Sequence, residues 1–191
     1  MKAQTATIYS LIKPTAFWLE IPLLLGFNLL LVACAYISVP LPLVPVTGQT
    51  FGVLLVAMAL GRVRGSAVVL AYLLEGACGL PVFAEGKAGL QVFLGPTGGY
   101  LVGFLMAAFV TGQLAERTWD KTYLKSVTAM VLGTVVIYVC GLAWLGRFVP
   151  ADSLLDVGLL PFIPGAFIKI TLAAIVLPSV WKFVRPEGGA G

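Results

Sequence analysis

Lys169 stands in an apolar run that extends to Trp181 and contains no acidic residue. An ionised side chain at the centre of a membrane helix costs roughly 2.5 to 3.5 kcal/mol, so such a lysine either serves function or snorkels to the headgroups. Left charged, its simplest partner is an anion such as a carboxylate. Lys87, in the turn Glu85-Gly-Lys-Ala-Gly89, is either a second anion contact or an exposed loop charge. Gln49 and Thr50 open another apolar run, where they suit hydrogen bonding to a neutral polar ligand or capping of the helix they begin. Glu75 closes a third run and faces a pocket or the headgroups. Tyr100, Tyr138 and Trp144 offer rings for stacking on a ligand, or form part of an interfacial aromatic belt.

Several chemistries are excluded. The chain has no histidine, which removes the commonest general base and the commonest neutral metal ligand together. Glu116 and Asp120 are flanked by Arg117 and Lys121, a pattern that reads as a solvated salt network rather than a metal site. Cys34, Cys78 and Cys140 are far apart, form no CxxC and sit in apolar surroundings, where cysteine behaves as a small hydrophobe. No GxxxxGK[ST] occurs, so the chain carries no phosphate-binding loop of that kind. A membrane enzyme or lipid-handling protein would need a nucleophile with a base, or a metal cluster, and these scattered groups supply neither. No catalytic residue, cofactor, metal or nucleic-acid partner is expected.

The elements that position these residues are membrane helices. Of 191 residues, 60% are hydrophobic and only 10% charged, and mean hydropathy is +1.03. Soluble domains carry about 25% charged residues. A span takes about 20 residues, so the length holds five or six spans and no separate soluble domain. We expect an all-α integral membrane protein, a single domain over 1–191, with six spans at 21–39, 49–61, 65–79, 98–116, 124–146 and 165–183. Met1 to Ser10 is polar and no cleavable signal is visible, so the first span is expected to stay in place. The part of the second span after Gln49 reaches only ~18 Å, short of the ~30 Å core. The preceding Ser38-Val-Pro-Leu-Pro-Leu-Val-Pro-Val-Thr-Gly-Gln49 therefore enters the protein as extended backbone, or the helix is strongly tilted.

The stretch Gly79 to Tyr100 is too rich in glycine and too irregular for a plain span. Non-helical backbone at membrane depth must be satisfied inside protein or along a water-filled cavity, so it commonly lines a site. Phe83, Leu90, Val92, Phe93 and Leu94 are costly in a solvated loop, and Gly95-Pro-Thr-Gly98-Gly99-Tyr100 resembles a tight turn feeding a helix N-terminus.

Nine of the twelve Lys and Arg residues (Lys2, Lys13, Arg62, Arg64, Arg117, Lys121, Lys125, Lys182 and Arg185) fall on the side of the termini in this arrangement. That asymmetry puts both termini in the cytoplasm of a plasma-membrane protein. The long Pro/Gly-rich connections then lie outside, and a pocket open to the extracellular side follows.

Pro40-Leu-Pro42, Pro45-Val-Thr-Gly-Gln-Thr50, Leu60-Gly61, Tyr72-Leu73, Gly79-Leu-Pro-Val-Phe83, Gly95-Pro-Thr-Gly-Gly-Tyr100 and Pro161-Phe-Ile-Pro-Gly165 with Lys169 resemble, in order and spacing, the BioY family. Its members are substrate-binding membrane subunits, or S components, of energy-coupling-factor biotin transporters. The resemblance covers about residues 20 to 180. It implies capture of biotin from outside and partnership with a membrane coupling subunit and a pair of ATPases. It also implies binding positions in the GLPVF and GPTGGY stretches and at Lys169. Alternatives are an S component for another vitamin or small carboxylate, or a solitary membrane vitamin transporter. One departure stands out: the family pattern usually has an aspartate after the PFxPG glycine, where this chain has Ala166.

Overall fold

In the computed structural model, residues 7–14 and 17–184 are described. The helices are α1 (Tyr9–Ile12), α2 (Phe17–Tyr36), α3 (Gln49–Ala77), α4 (Leu90–Leu94), α5 (Gly98–Glu116), α6 (Tyr123–Leu145), α7 (Leu154–Gly158) and α8 (Ile163–Val184). Lys2 and Arg185, which entered the charge count, lie outside the described residues, as does the side chain of Lys182. Segments long and apolar enough to cross a membrane are Trp18–Tyr36, Gln49–Ala77, Gly98–Glu116, Tyr123–Leu145 and Ala151–Trp181. Helices α2 and α8 expose large apolar side chains such as Trp18, Leu29, Phe167 and Ile168. In water such faces would need cover; in a bilayer they meet hydrocarbon.

Helix α3 is not straight. Gly61 leaves the helical region at φ 81°, a conformation that L side chains rarely adopt, and the chain folds back there. A Cβ on Gly65 would lie 2.7 Å from the Ala57 Cα. In an unbroken helix those residues would be ~12 Å apart. The spans expected at 49–61 and 65–79 leave 62–64 as a separate turn between them. The structure instead makes the reversal at Gly61 alone, because glycine supplies the required φ and the helix resumes at once. The Arg62 N–H freed by the break donates to Glu116 Oε1 of α5 at 2.9 Å. Close packing of the arms on α5 follows from small residues: a Cβ on Gly112 would lie 2.6 Å from the Arg62 backbone nitrogen.

α3 and α5 form the buried centre, with α6 on α5, α2 on α3, and α8 on α6. The proline-rich segment between α2 and α3 takes the first of the two expected forms, non-helical backbone with strands at either end and a bend at 42–44. Ser38–Val39 pairs antiparallel with Val46–Thr47, Ser38 opposite Thr47. These elements we call β1 and β2. Gly48 presses on α2, where a Cβ would stand 2.5 Å from the Cys34 carbonyl oxygen.

The stretch before α5 folds back on the bundle. Gly89 N–H donates to the Gly76 carbonyl at 2.7 Å and Phe83 N–H to that of Lys87 at 3.2 Å. Gly95 closes α4, and α5 starts at Gly98, in agreement with the turn expected at Gly95 to Tyr100.

Candidate functional site: a cavity at one end of the bundle

Where β2, the start of α3, the irregular stretch and the starts of α5 and α8 meet, they enclose a cavity of about 630 Å³, its open mouth included. Its apolar wall includes Phe83, Val92, Leu101, Phe104 and Phe162 together with the rings of Tyr100 and Tyr138. The wall is itself braced. Phe83 packs edge-on to Tyr72 at 5.5 Å between ring centroids and to Phe93 at 5.7 Å. Phe162 lies 6.0 Å from Tyr100 and 6.1 Å from Tyr138. The Tyr100 hydroxyl donates to the Gly158 carbonyl at 2.7 Å and so ties α5 to the segment before α8. No hydrogen bond engages the Tyr138 hydroxyl among the described residues, which leaves it available to the cavity.

Polar groups gather at Thr47. Lys169 donates its Nζ to the Thr47 carbonyl and to Thr50 Oγ1, the latter at 3.1 Å. Both acceptors are neutral. Among the described residues the ion pairs are Arg64 with Glu20 and Lys87 with Glu85; Lys169 has no carboxylate. Gln49 accepts from Thr47 Oγ1 at 2.9 Å and donates through Nε2 to the Tyr72 hydroxyl at 2.6 Å. Lys87 reaches the cavity from the irregular stretch while its Nζ holds Glu85 at 2.7 Å.

Of the candidates named from sequence, Lys169, Tyr100, Phe83, Lys87, Gln49 and Tyr138 line this cavity together. Glu75, Trp144, Gly98 and Gly99 are not among its lining residues. Glu75 accepts from Asn28 Nδ2 of α2 at 3.1 Å. Trp144 donates Nε1 to the Gly95 carbonyl at 2.9 Å, with the Arg147 guanidinium 4.4 Å above its ring. Gly98 and Gly99 permit close packing: a Cβ would fall 1.8 Å from the Phe93 carbonyl oxygen in one case and 2.3 Å from Trp144 Cβ in the other. Thr47 and Phe162 were not singled out as ligand contacts, although both lie in the motifs that carry the family resemblance. Ala166 lines a smaller crevice of about 250 Å³ beside Lys169, with Thr50, Met130 and Thr134.

A helical bundle with lipid-facing outer surfaces and a polar-tipped cavity at one end is a multi-pass membrane protein with a place for a small molecule. The BioY family model matches residues 8–186. "Biotin transporter BioY" of Thermotoga maritima is 43% identical over 151 residues, 78% of this chain and 88% of that protein. "Biotin transporter BioY" of Rhizobium etli is 40% identical, covering 70% and 75%. "Probable biotin transporter BioY" of Pyrococcus horikoshii is 38% identical, covering 82% and 93%. A crystal structure of the S-component for biotin from an ECF-type ABC transporter superposes with a TM-score of 0.76 at 24% identity, over 92% of this chain and 97% of that one. The chain belongs to the BioY family.

Proposed function

We propose that this protein is the substrate-capture subunit of a biotin uptake system, one membrane domain that binds biotin in the cavity and delivers it through an ATP-driven energy-coupling module. The observation that carries the reading is Lys169, a cavity cation held by two neutral oxygens and facing no carboxylate. A carboxylate ligand supplies the missing charge through a charge-assisted hydrogen bond. The aromatic wall suits an apolar bicycle and alkyl chain, and the amide of Gln49 suits a ureido group. Relatives named as biotin transporters support the same ligand. With no phosphate-binding loop in the sequence, power comes from partners: a membrane coupling subunit and an ATPase pair.

The same proposal counts the arms of α3 as two spans, giving six in all. In its favour, Gln49 and Tyr72 are hydrogen-bonded at 2.6 Å, whereas a straight helix would separate them by roughly 35 Å. The charge asymmetry favours cytoplasmic termini, cytoplasmic turns at Gly61 to Gly65 and Glu116 to Lys125, and a cavity facing outside.

Purified protein without nucleotide should bind radiolabelled biotin saturably, release it to unlabelled biotin, and hydrolyse no ATP. An absence of saturable binding contradicts the proposal. Orientation is read from Cys78, exposed beside the cavity end of α3. It should react with an impermeant thiol reagent on intact cells, and Cys78→Ser should abolish that labelling; protection of Cys78 would reverse the topology.

A further inference from the structure

Tyr72 lines no part of the cavity and is fully buried, yet its hydroxyl joins two cavity-forming segments that are far apart in the chain. It donates to the Val82 carbonyl at 3.0 Å. That bond uses its single proton, so toward Gln49 it can only accept, and the group facing it at 2.6 Å must be the amide nitrogen. At the other end of the amide, the Thr47 hydroxyl accepts from the Gln49 backbone N–H at 3.3 Å and donates to Oε1 at 2.9 Å. The two ends thus agree on one orientation of the carboxamide. One Nε2 proton and one Oε1 lone pair remain unused on a residue that lines the cavity.

We propose that Tyr72 is a positioning residue for ligand selection: by fixing the Gln49 carboxamide it makes the cavity demand a neutral edge carrying both an acceptor and a donor, as a cyclic urea does. The inference rests on the biotin reading and assigns that selectivity to a residue the ligand does not touch. The Tyr72 ring also meets the Phe83 ring edge-on, a contact that does not depend on the hydroxyl, so the bond to Val82 serves to fix the direction of the Tyr72 proton. Without the hydroxyl, the amide is free to turn over and offer its nitrogen to Thr47. A buried donor or acceptor without its partner is costly, so the effect should be measurable.

Tyr72→Phe keeps the ring that packs on Phe83. It should weaken biotin binding about tenfold, and biotin amide equally, since the lysine end is untouched. Gln49→Met should weaken binding by a similar factor. The decisive comparison is the double variant, which should bind no more weakly than Gln49→Met alone, because Tyr72 acts through an amide already removed. Multiplying losses would mean that Tyr72 supports the wall independently of Gln49, and would overturn the proposal. A ligand-free measurement covers failure of the variants to fold. In 15N-labelled wild-type protein, the Gln49 side-chain amide, assigned through its own backbone resonances, should exchange slowly with solvent at the proton bonded to Tyr72. Rapid exchange would show that the amide is not fixed. If wild-type protein binds no biotin while this amide is protected, the biotin reading fails and the fixed amide stands.

Discussion

At the cavity end, side-chain donors hold irregular backbone by its carbonyls. Lys169 donates to Thr47, Tyr72 to Val82, Tyr100 to Gly158, Trp144 to Gly95 and Tyr36 to Pro81. At the far end, carboxylates do the corresponding work. Glu116 takes the Arg62 N–H, Glu20 takes Arg64 and the Tyr9 hydroxyl, and Asp120 takes Trp181 Nε1 at 2.7 Å. The far end is locked by groups of opposite character, with the Arg64 cation neutralised by Glu20. Of the two cations that line the cavity, Lys87 is paired with Glu85, whereas Lys169 meets no carboxylate among the described residues. A bundle that only had to be stable would gain nothing from that asymmetry. A bundle that waits for an anion needs it. Substitutions at the far end should therefore change stability alone, and those at the cavity end should change affinity as well.

The widest test uses two glycines with similar clashes. A Cβ at Gly76 would stand 2.1 Å from Phe83 Cζ, and one at Gly112 would stand 2.6 Å from the Arg62 backbone nitrogen. Gly76→Ala and Gly112→Ala should each cost about 3 kcal/mol of stability, the upper part of the range for forcing atoms into a packed site. Biotin titrations should separate them, with Gly76→Ala losing affinity through the displaced Phe83 ring and Gly112→Ala keeping it. Equal affinity losses would break the comparison.

Asp120 sharpens the account of the far end. It is fully buried, only its Oδ2 is bonded, and burial pushes its carboxyl up from the usual 3.8 to about 6, although the Trp181 bond and Lys121 pull the other way. Because the folded state then binds the proton more readily than the unfolded chain, stability contributed by protonated Asp120 is present below about pH 4. It is lost as pH rises through 6. The swing should be roughly 2 to 3 kcal/mol. Thermal denaturation in detergent should show wild type losing stability between pH 4 and 7 relative to Asp120→Asn, which does not titrate. Parallel pH profiles for the two proteins would contradict the assignment.

Glu116→Ala should have the smallest effect. Removing the acceptor of the Arg62 N–H should cost about 1 kcal/mol, as loss of a helix cap does, with biotin affinity unchanged. A large affinity loss would mean that the Gly61 reversal controls the cavity.

Much of this arrangement was legible in the sequence where one residue carries its own physical demand. Lys169 is costly wherever it lies in an apolar run, and the glycines and prolines of the Gly79 to Tyr100 stretch rule out a plain helix. Gly61 ends the expected second span and is where the chain reverses; a single positive φ suffices there, so no separate turn at 62–64 is needed. Glu75 and Trp144 looked equally available for a ligand. Their commitments to Asn28 and the Gly95 carbonyl span 47 and 49 residues and arise only when the helices assemble. Gly98 and Gly99 lie outside the cavity lining, and what the structure shows for them is close approach to Phe93 and Trp144. Tyr72 was visible as part of a motif, but its link to Gln49 depends on the fold-back of α3 and could not be read along the chain.

The central claim is that Lys169 awaits a carboxylate. Isothermal titration of biotin and of biotin amide into wild type and Lys169→Ala tests it as a double cycle. A charge-assisted hydrogen bond is worth roughly 1.5 to 3 kcal/mol, so Lys169→Ala should weaken biotin binding by about one to two orders of magnitude. The amide, which carries no charge to meet the ammonium, should lose far less. Equal losses for acid and amide would contradict the claim and move the carboxylate contact to Lys87.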